Sequence, residues 1–279
     1  MRSPDPRVTP FREDLAAEHL RGVVEAGRFV PGVAHRVRVG RATMRGEPTE
    51  TARQTSELTF GEAFTVYDRR GGWAWGQNGT DGYVGWAPDS ALAEGVVAAT
   101  HRVAALRTFL FPEPDLKTHP LDTLSLGARL AVVRSLNGWA ELATGGWVFE
   151  RHVAAEGAPP VDAVETALAF LGTPYLWGGR TSLGIDCSGL VQQALAAAGH
   201  AAPRDSDQQR AAVGDLVSRD GRDHAYGRGD IVFFPGHVGL MADATRLVHA
   251  TAFTLSVCIE PVDEVAARAG GILAVRRLG

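Results

Sequence analysis

Hydrophobic and polar positions change texture twice along the 279-residue chain. Residues 1 to about 28 set prolines and charges around a few apolar positions, which predicts an extended arm and a short helix over residues 11–25. From Val30 onward, short β-type runs are bounded by Gly and Asp/Asn turns. The stretch 156–160, Glu-Gly-Ala-Pro-Pro, reads as a linker, and after it the period becomes helical. Val161, Val164, Leu168 and Leu171 follow i, i+3, i+7 and i+10, with Gly172 where a helix would stop. A second stripe, Leu190, Val191, Ala194, Leu195 and Ala198, ends at Gly199. Beyond Asp230 the runs 231–234, 238–241, 247–250, 255–259 and 272–275 are strand-like. Helices followed by an antiparallel sheet predict an α+β fold.

The β-rich region contains an internal echo. Leu58-Thr59-Phe60-Gly61, Gly72-Trp73 and Gly85-Trp86 return as Leu124-Ser125-Leu126-Gly127, Gly138-Trp139 and Gly146-Trp147. Gly61 to Trp73 and Gly127 to Trp139 are equal intervals. A period of roughly 65 residues is too long for a solenoid and suits two tandem small barrels. The predicted organisation is an arm over 1–28, barrels over 29–94 and 95–156, and a last domain over 160–279.

Composition narrows the function classes. A 45% hydrophobic and 22% charged chain is ordinary for a globular protein. Its 28 basic and 32 acidic residues form no Lys/Arg cluster, so neither a nucleic-acid surface nor an anionic-membrane surface is indicated. The charged amino terminus offers no apolar signal-like region, and the longest apolar runs, 167–171 and 194–198, are far too short for a bilayer span. The expected location is cytoplasmic. The two cysteines, Cys187 and Cys258, could form at most one disulfide, and there a lone thiol with histidines elsewhere is better read as a candidate nucleophile than as half a bridge.

Asp186 is a good N-cap residue, and Cys187 follows it at the start of an apolar-striped helix, where unpaired N–H groups favour a thiolate. His237 opens one strand-like run and His249 closes the next. A symmetric hairpin centred on Asp243 would pair them directly, with Cβ atoms about 5 Å apart, as base and orienting group. An inert cysteine, or a zinc site of Cys187, His237 and His249, remains open on these residues alone. Cys258, on an alternating run, is expected in the core.

Five motifs then occur in order: Pro174-Tyr175-Leu176-Trp177-Gly178-Gly179, Asp186-Cys187-Ser188-Gly189-Leu190, Pro203-Arg204-Asp205-Ser206 with Gln209, Gly229-Asp230-Ile231-Val232-Phe233-Phe234, and His237-Val238-Gly239. Through them residues 160–279 resemble the NlpC-type papain-like peptidases of bacterial cell-wall peptides. The two repeats resemble the bacterial SH3-like barrels that accompany such hydrolases. The resemblance implies a cysteine endopeptidase that cleaves the γ-D-glutamyl-diamino acid bond of murein peptides and calls for no cofactor. It implies Cys187 as nucleophile, His237 as base and His249 as third polar residue, with Tyr175 and the Cys187 N–H at the oxyanion. Gly236 stands where many relatives carry a bulkier polar side chain.

The whole architecture resembles the subfamily acting on free peptides with an unblocked amino-terminal L-alanine. That likeness implies Glu47 and Tyr83 of the first barrel, with Asp186, as ammonium ligands, and Ser188 and Ser206 among the substrate-binding residues. The alternatives are a non-catalytic cell-wall binding protein and a thiol amidase or acyltransferase with another substrate.

Overall fold

The computed structural model describes residues 4–222 and 224–279, so the first three residues of the predicted arm lie outside the described residues. The chain divides into two compact units, Met1–Ala158 and Pro159–Gly279. Among the described residues no helix is long and apolar enough to cross a membrane.

The first unit is all β. Its larger sheet is antiparallel, in the order Gln54–Thr59, Arg41–Arg45, Val84–Pro88, Trp73–Asn78, Ala63–Arg70, Val33–Val37 and Leu92–Glu94. Alternate residues of these strands, among them Val37, Met44, Leu58, Phe64 and Val66, fill one core. The second repeat builds three smaller sheets around Val103, Leu124, Leu130, Leu142 and Val148. The echo has a backbone cause. Gly61 and Gly127 both have positive φ, 78° and 82°, and their N–H groups donate to Val37 and Val103 in matching turns. Side chains other than hydrogen are penalised in that region, which is why both repeats spend a glycine there. Phe60 packs into the second core, and Arg129 N–H donates to its carbonyl, so the repeats are joined through that turn.

The predicted helix over 11–25 does not form. Ala16–Ala17 pair in parallel with Phe29–Val30, and a single 3₁₀ turn covers Glu18–Leu20. Leu15, Ala16 and Ala17 are all fully buried. On a helix these neighbours would point about 100° apart and could not face one core together. Leu15 instead packs against Trp73, Trp75 and Trp86, so tertiary burial decides the local conformation.

In the second unit, α1 (Ala163–Ala169) and α2 (Cys187–Ala197) precede a six-stranded antiparallel sheet. Its order is Asp215–Ser218, Ala274–Arg277, Ile231–Phe234, His237–Met241, Arg246–Thr251 and Ser256–Pro261. Two short helices went unread in the sequence: α3 (Ser206–Ala212) and α4 (Val262–Ala269). Yet α4 carries a regular stripe, Val262, Val265, Ala266 and Ala269, and closes at Gly270 in the left-handed region. The stripe packs on Val232, Phe234, Met241, Leu247 and Val275.

Candidate active site

The site is assembled where α2 meets the His237–Met241 strand. Asp186 caps α2: its Oδ1 accepts from Gly189 N–H at 2.7 Å. Gly189 has to be glycine, because a Cβ there would lie 2.3 Å from the Gly179 carbonyl oxygen. Cys187 is thereby held on the first turn, 7% exposed, with the Val238 N–H donating to its sulfur.

Ile231–Phe234 and His237–Met241 form a hairpin in which Phe234 faces His237 across Pro235-Gly236. Proline pre-sets the first turn residue, and Gly236 takes φ 67° at the second, the pattern of a type II turn. The glycine before His237 is thus a turn requirement. The next hairpin differs from the expected one. Leu240 pairs with Val248 and Met241 with Leu247, which centres it on Ala244. Asp243 is the reason: its Oδ1 accepts from the N–H groups of Thr245 and Arg246, making it the first loop residue. His237 and His249 are therefore not direct cross-strand partners.

They meet diagonally instead, with His237 Nε2 2.7 Å from His249 Nδ1. Gly239 makes this possible. A Cβ at Gly239 would lie 2.9 Å from the His249 Cβ and 2.8 Å from the Leu247 side chain. Gly239→Ala should therefore lower stability by about 1–3 kcal/mol through overpacking and cut peptide turnover by displacing His249. Thermal melting and steady-state rates on the same preparation check both effects.

Beyond His249 lies a residue that the sequence reading missed. His249 Nε2 is 2.9 Å from Glu260 Oε2, and Arg268 donates to both Glu260 oxygens, at 3.1 and 2.8 Å. The signal was present: Glu260 lies two residues beyond Cys258, the cross-strand partner of His249, and so on the same face. Cys258 is not core; it is half-buried on the edge strand, 3.7 Å from Glu260 Oε2.

Burial pushes the Cys187 thiol up to about 12, and the Asp186 charge adds to the rise. The Val238 N–H, the Arg204 charge and the Ser188 N–H act in the opposite sense without prevailing. Burial likewise takes His237 down to about 3, helped by His249 and Arg268. Desolvation thus works against the thiolate that the helix start favours, and against the imidazolium of His237. Burial also pushes the Tyr175 hydroxyl up, with the neighbouring Cys187 and Asp186 charges contributing, so Tyr175 keeps its proton at neutral pH.

Asp186 has a partner that the sequence reading did not assign. Arg204, 1% exposed, donates Nη1 to Asp186 Oδ1 at 3.0 Å and Nη2 to Oδ2 at 2.6 Å. Oδ2 also accepts from Gly178 N–H at 2.9 Å, and Oδ1 from the Ser188 hydroxyl at 3.2 Å. The carboxylate expected to meet a substrate ammonium is already neutralised and hydrogen-bonded on both oxygens. The Ser188 Oγ is similarly engaged, accepting from Arg204 Nη1 at 2.9 Å. Ser206 is the half-buried first residue of α3.

Glu47 and Tyr83 belong to the first unit. Glu47 is exposed in the loop between Arg41–Arg45 and Gln54–Thr59, while the Tyr83 ring is buried in the barrel core. The zinc trio considered from sequence is not the group that falls within ligand reach of one another. His249, Cys258 and Glu260 bring their donor atoms within 4.8 Å of one another. An ion among them would have to displace the Arg268 guanidinium from Glu260.

A thiol on a helix start, packed against an antiparallel sheet that presents an imidazole pair, defines a papain-like cysteine peptidase. The model of the NlpC/P60 family matches residues 172–270, and that of the bacterial dipeptidyl-peptidase Sh3 domain matches residues 44–92. The gamma-D-glutamyl-L-lysine dipeptidyl-peptidase of Bacillus subtilis is 31% identical over 228 residues, covering 72% of this chain and 73% of the relative. Dipeptidyl-peptidase 6 of Lysinibacillus sphaericus is 33% identical over 182 residues, covering 60% of this chain and 66% of the relative. A crystal structure of an NlpC/P60 family protein from Bacillus cereus has the same fold, with a TM-score of 0.75 at 20% identity over 88% of this chain and 99% of that one. The chain belongs to the NlpC/P60 family.

Proposed function

We propose that this peptidase hydrolyses the γ-D-glutamyl-diamino acid bond of free murein peptides, with Cys187 as nucleophile, His237 as base and His249 orienting it. The observation that carries the reading is the 2.7 Å His237–His249 bond on the strand whose Val238 N–H contacts the Cys187 sulfur. His237 takes the thiol proton as sulfur bonds to the glutamyl carbonyl carbon. The tetrahedral oxyanion is met by the Cys187 N–H and the Tyr175 hydroxyl. Collapse breaks the C–N bond while His237 returns the proton to the departing amine. Water then gives a proton to His237, attacks the thioester and releases the γ-D-glutamyl carboxylate and the thiol.

Relatives named for γ-D-glutamyl-L-lysine cleavage support the bond specificity. We assign the free amino-terminal ammonium to Glu47 and Tyr83 by the family resemblance; Asp186, whose oxygens are taken by Arg204, Gly178 and Ser188, caps the turn of the nucleophile. A carboxylate that becomes partly desolvated on binding rewards a cation and penalises a blocked amine. The expected result is hydrolysis of L-Ala-γ-D-Glu-diaminopimelate into L-Ala-γ-D-Glu and diaminopimelate. N-acetylation of the alanine should cost at least about tenfold in kcat/KM, and Glu47→Gln should shrink that ratio. Mass spectrometry of products and matched rates decide it. Cleavage elsewhere in the peptide would refute the bond assignment, and equal rates on free and acetylated peptide would refute amine recognition.

A further inference from the structure

We infer that Glu260 is a positioning residue that sets the proton arrangement of the His237–His249 pair, so that His237 keeps a bare nitrogen for the Cys187 proton. The inference rests on the reading of Cys187 and His237 as the reacting pair, and it adds a fourth residue behind the orienting histidine.

The difficulty it resolves is inherent in a pair of imidazoles. His237 Nε2 and His249 Nδ1, 2.7 Å apart, share one hydrogen. Two neutral rings can do so in two ways. In one, His237 donates from Nε2, its Nδ1 is bare, and the thiol has a base. In the other, His249 donates from Nδ1, the His237 proton sits on Nδ1, and the thiol faces an N–H that can take nothing from it. A ring pair alone does not choose between them, whereas an asparagine or glutamine in the orienting position has a carbonyl oxygen that only accepts.

Glu260 supplies the missing choice. An ionised carboxylate is an acceptor only, so the nitrogen facing it must carry the hydrogen. Its Oε2 stands 2.9 Å from His249 Nε2, which places the His249 hydrogen there and leaves His249 Nδ1 bare. His237 then has to donate from Nε2, and its Nδ1 is the nitrogen left to accept. When the thiol proton arrives, the imidazolium is stabilised along the same line, through His249 to a carboxylate.

The carboxylate is itself fixed. Arg268 donates to Oε1 and Oε2 at 3.1 and 2.8 Å, and its guanidinium lies 4.1 Å from the centre of the Phe253 ring. The fully buried His249 therefore meets an anion locked in place from α4 rather than a mobile surface side chain. The strand register delivers it: His249 pairs with Cys258, and Glu260 follows two residues later on the same face.

The test is a double-substitution cycle on the full chain. Glu260→Ala should lower kcat on the murein tripeptide at least about tenfold with KM within about twofold, as expected when a base is left in the wrong tautomer. Site-resolved alkylation of Cys187 by iodoacetamide, read by mass spectrometry to separate it from Cys258, should slow in parallel. In a His249→Asn background, whose amide oxygen can accept without help, the same Glu260→Ala change should cost less than about twofold. A merely structural role would cost equally in both backgrounds, and that result, or full activity of Glu260→Ala, would overturn the inference.

Nitrogen-15 NMR of histidine-labelled unaltered protein gives a reading that needs no variant to fold. His237 should be the Nε2–H tautomer, and a protonated Nδ1 with bare Nε2 in the resting enzyme would overturn the inference. The tautomer and alkylation readings are independent of the peptide substrate, so they stand apart from any failure of the proposed bond specificity.

Discussion

Cys187→Ala is expected to reduce hydrolysis of L-Ala-γ-D-Glu-diaminopimelate by at least about 10⁴-fold, because every later step passes through the thioester. The loss should appear in kcat, and the variant should fold. Cys187 makes no disulfide, and its small buried side chain leaves only a sulfur-sized space when shortened. Cys187→Ser should be nearly as inactive. An alcohol is harder to deprotonate than a thiol, and burial beside Asp186 already pushes even the thiol up to about 12. Mass spectrometry of the product mixture, with circular dichroism on the same samples, separates lost chemistry from lost structure. Retained turnover in Cys187→Ala would remove the nucleophile assignment.

Arg204→Met should have the largest effect on stability. Arg204 is 1% exposed and bonds both oxygens of Asp186, itself 7% exposed. Removing the guanidinium leaves a buried carboxylate without its counter-charge, which costs about 3–5 kcal/mol. Against typical domain stabilities of about 5–15 kcal/mol, that is enough to unfold a substantial share of molecules near body temperature. Activity should fall as well, since Asp186 caps the turn that holds Cys187. The double variant Asp186→Asn with Arg204→Met should recover part of the loss, because the amide oxygen still caps Gly189 and no naked charge remains. Thermal melts of the two single variants and the double variant test this. Additive losses would show that the charge pair is not the source of the stability.

Cys187, His237 and His249 could be picked out from spacing and from ordered motifs, because a nucleophile on a capped helix and histidines on short strands leave local marks. Their diagonal meeting could not. An even separation of twelve residues put both rings on one face, but the hairpin centre depended on how Asp243 spends its carboxylate on the Thr245 and Arg246 N–H groups. That side-chain choice moved the centre to Ala244 and made Gly239 the space-giving position.

Arg204 and Glu260 were hidden for a similar reason. Arg204 lies in the Pro203-Arg204-Asp205-Ser206 motif, but an arginine in sequence reads as solvated unless a buried anion is known to face it. Glu260 looks like any charge on an edge strand until the His249–Cys258 pairing brings it behind the histidine. The surroundings of the thiol were only partly legible on local grounds. A helix amino terminus does favour an anion, but the burial that opposes it is created by the sheet, α2 and the strand of His237 packing together.

The chain by itself therefore determined the β-rich repeats, the helix-then-sheet order of the last 120 or so residues and the candidate residue types of the site, because period, glycine placement and capping are local properties. Only the tertiary structure decided that residues 11–25 do not form a helix, that the histidines meet diagonally, that Asp186 belongs to Arg204 and that Glu260 stands behind His249. Apart from the hairpin centre, which Asp243 sets locally, each of those depends on burial or on partners remote in sequence. Their magnitudes are set by what lies across the packed interior, which no window of the sequence contains.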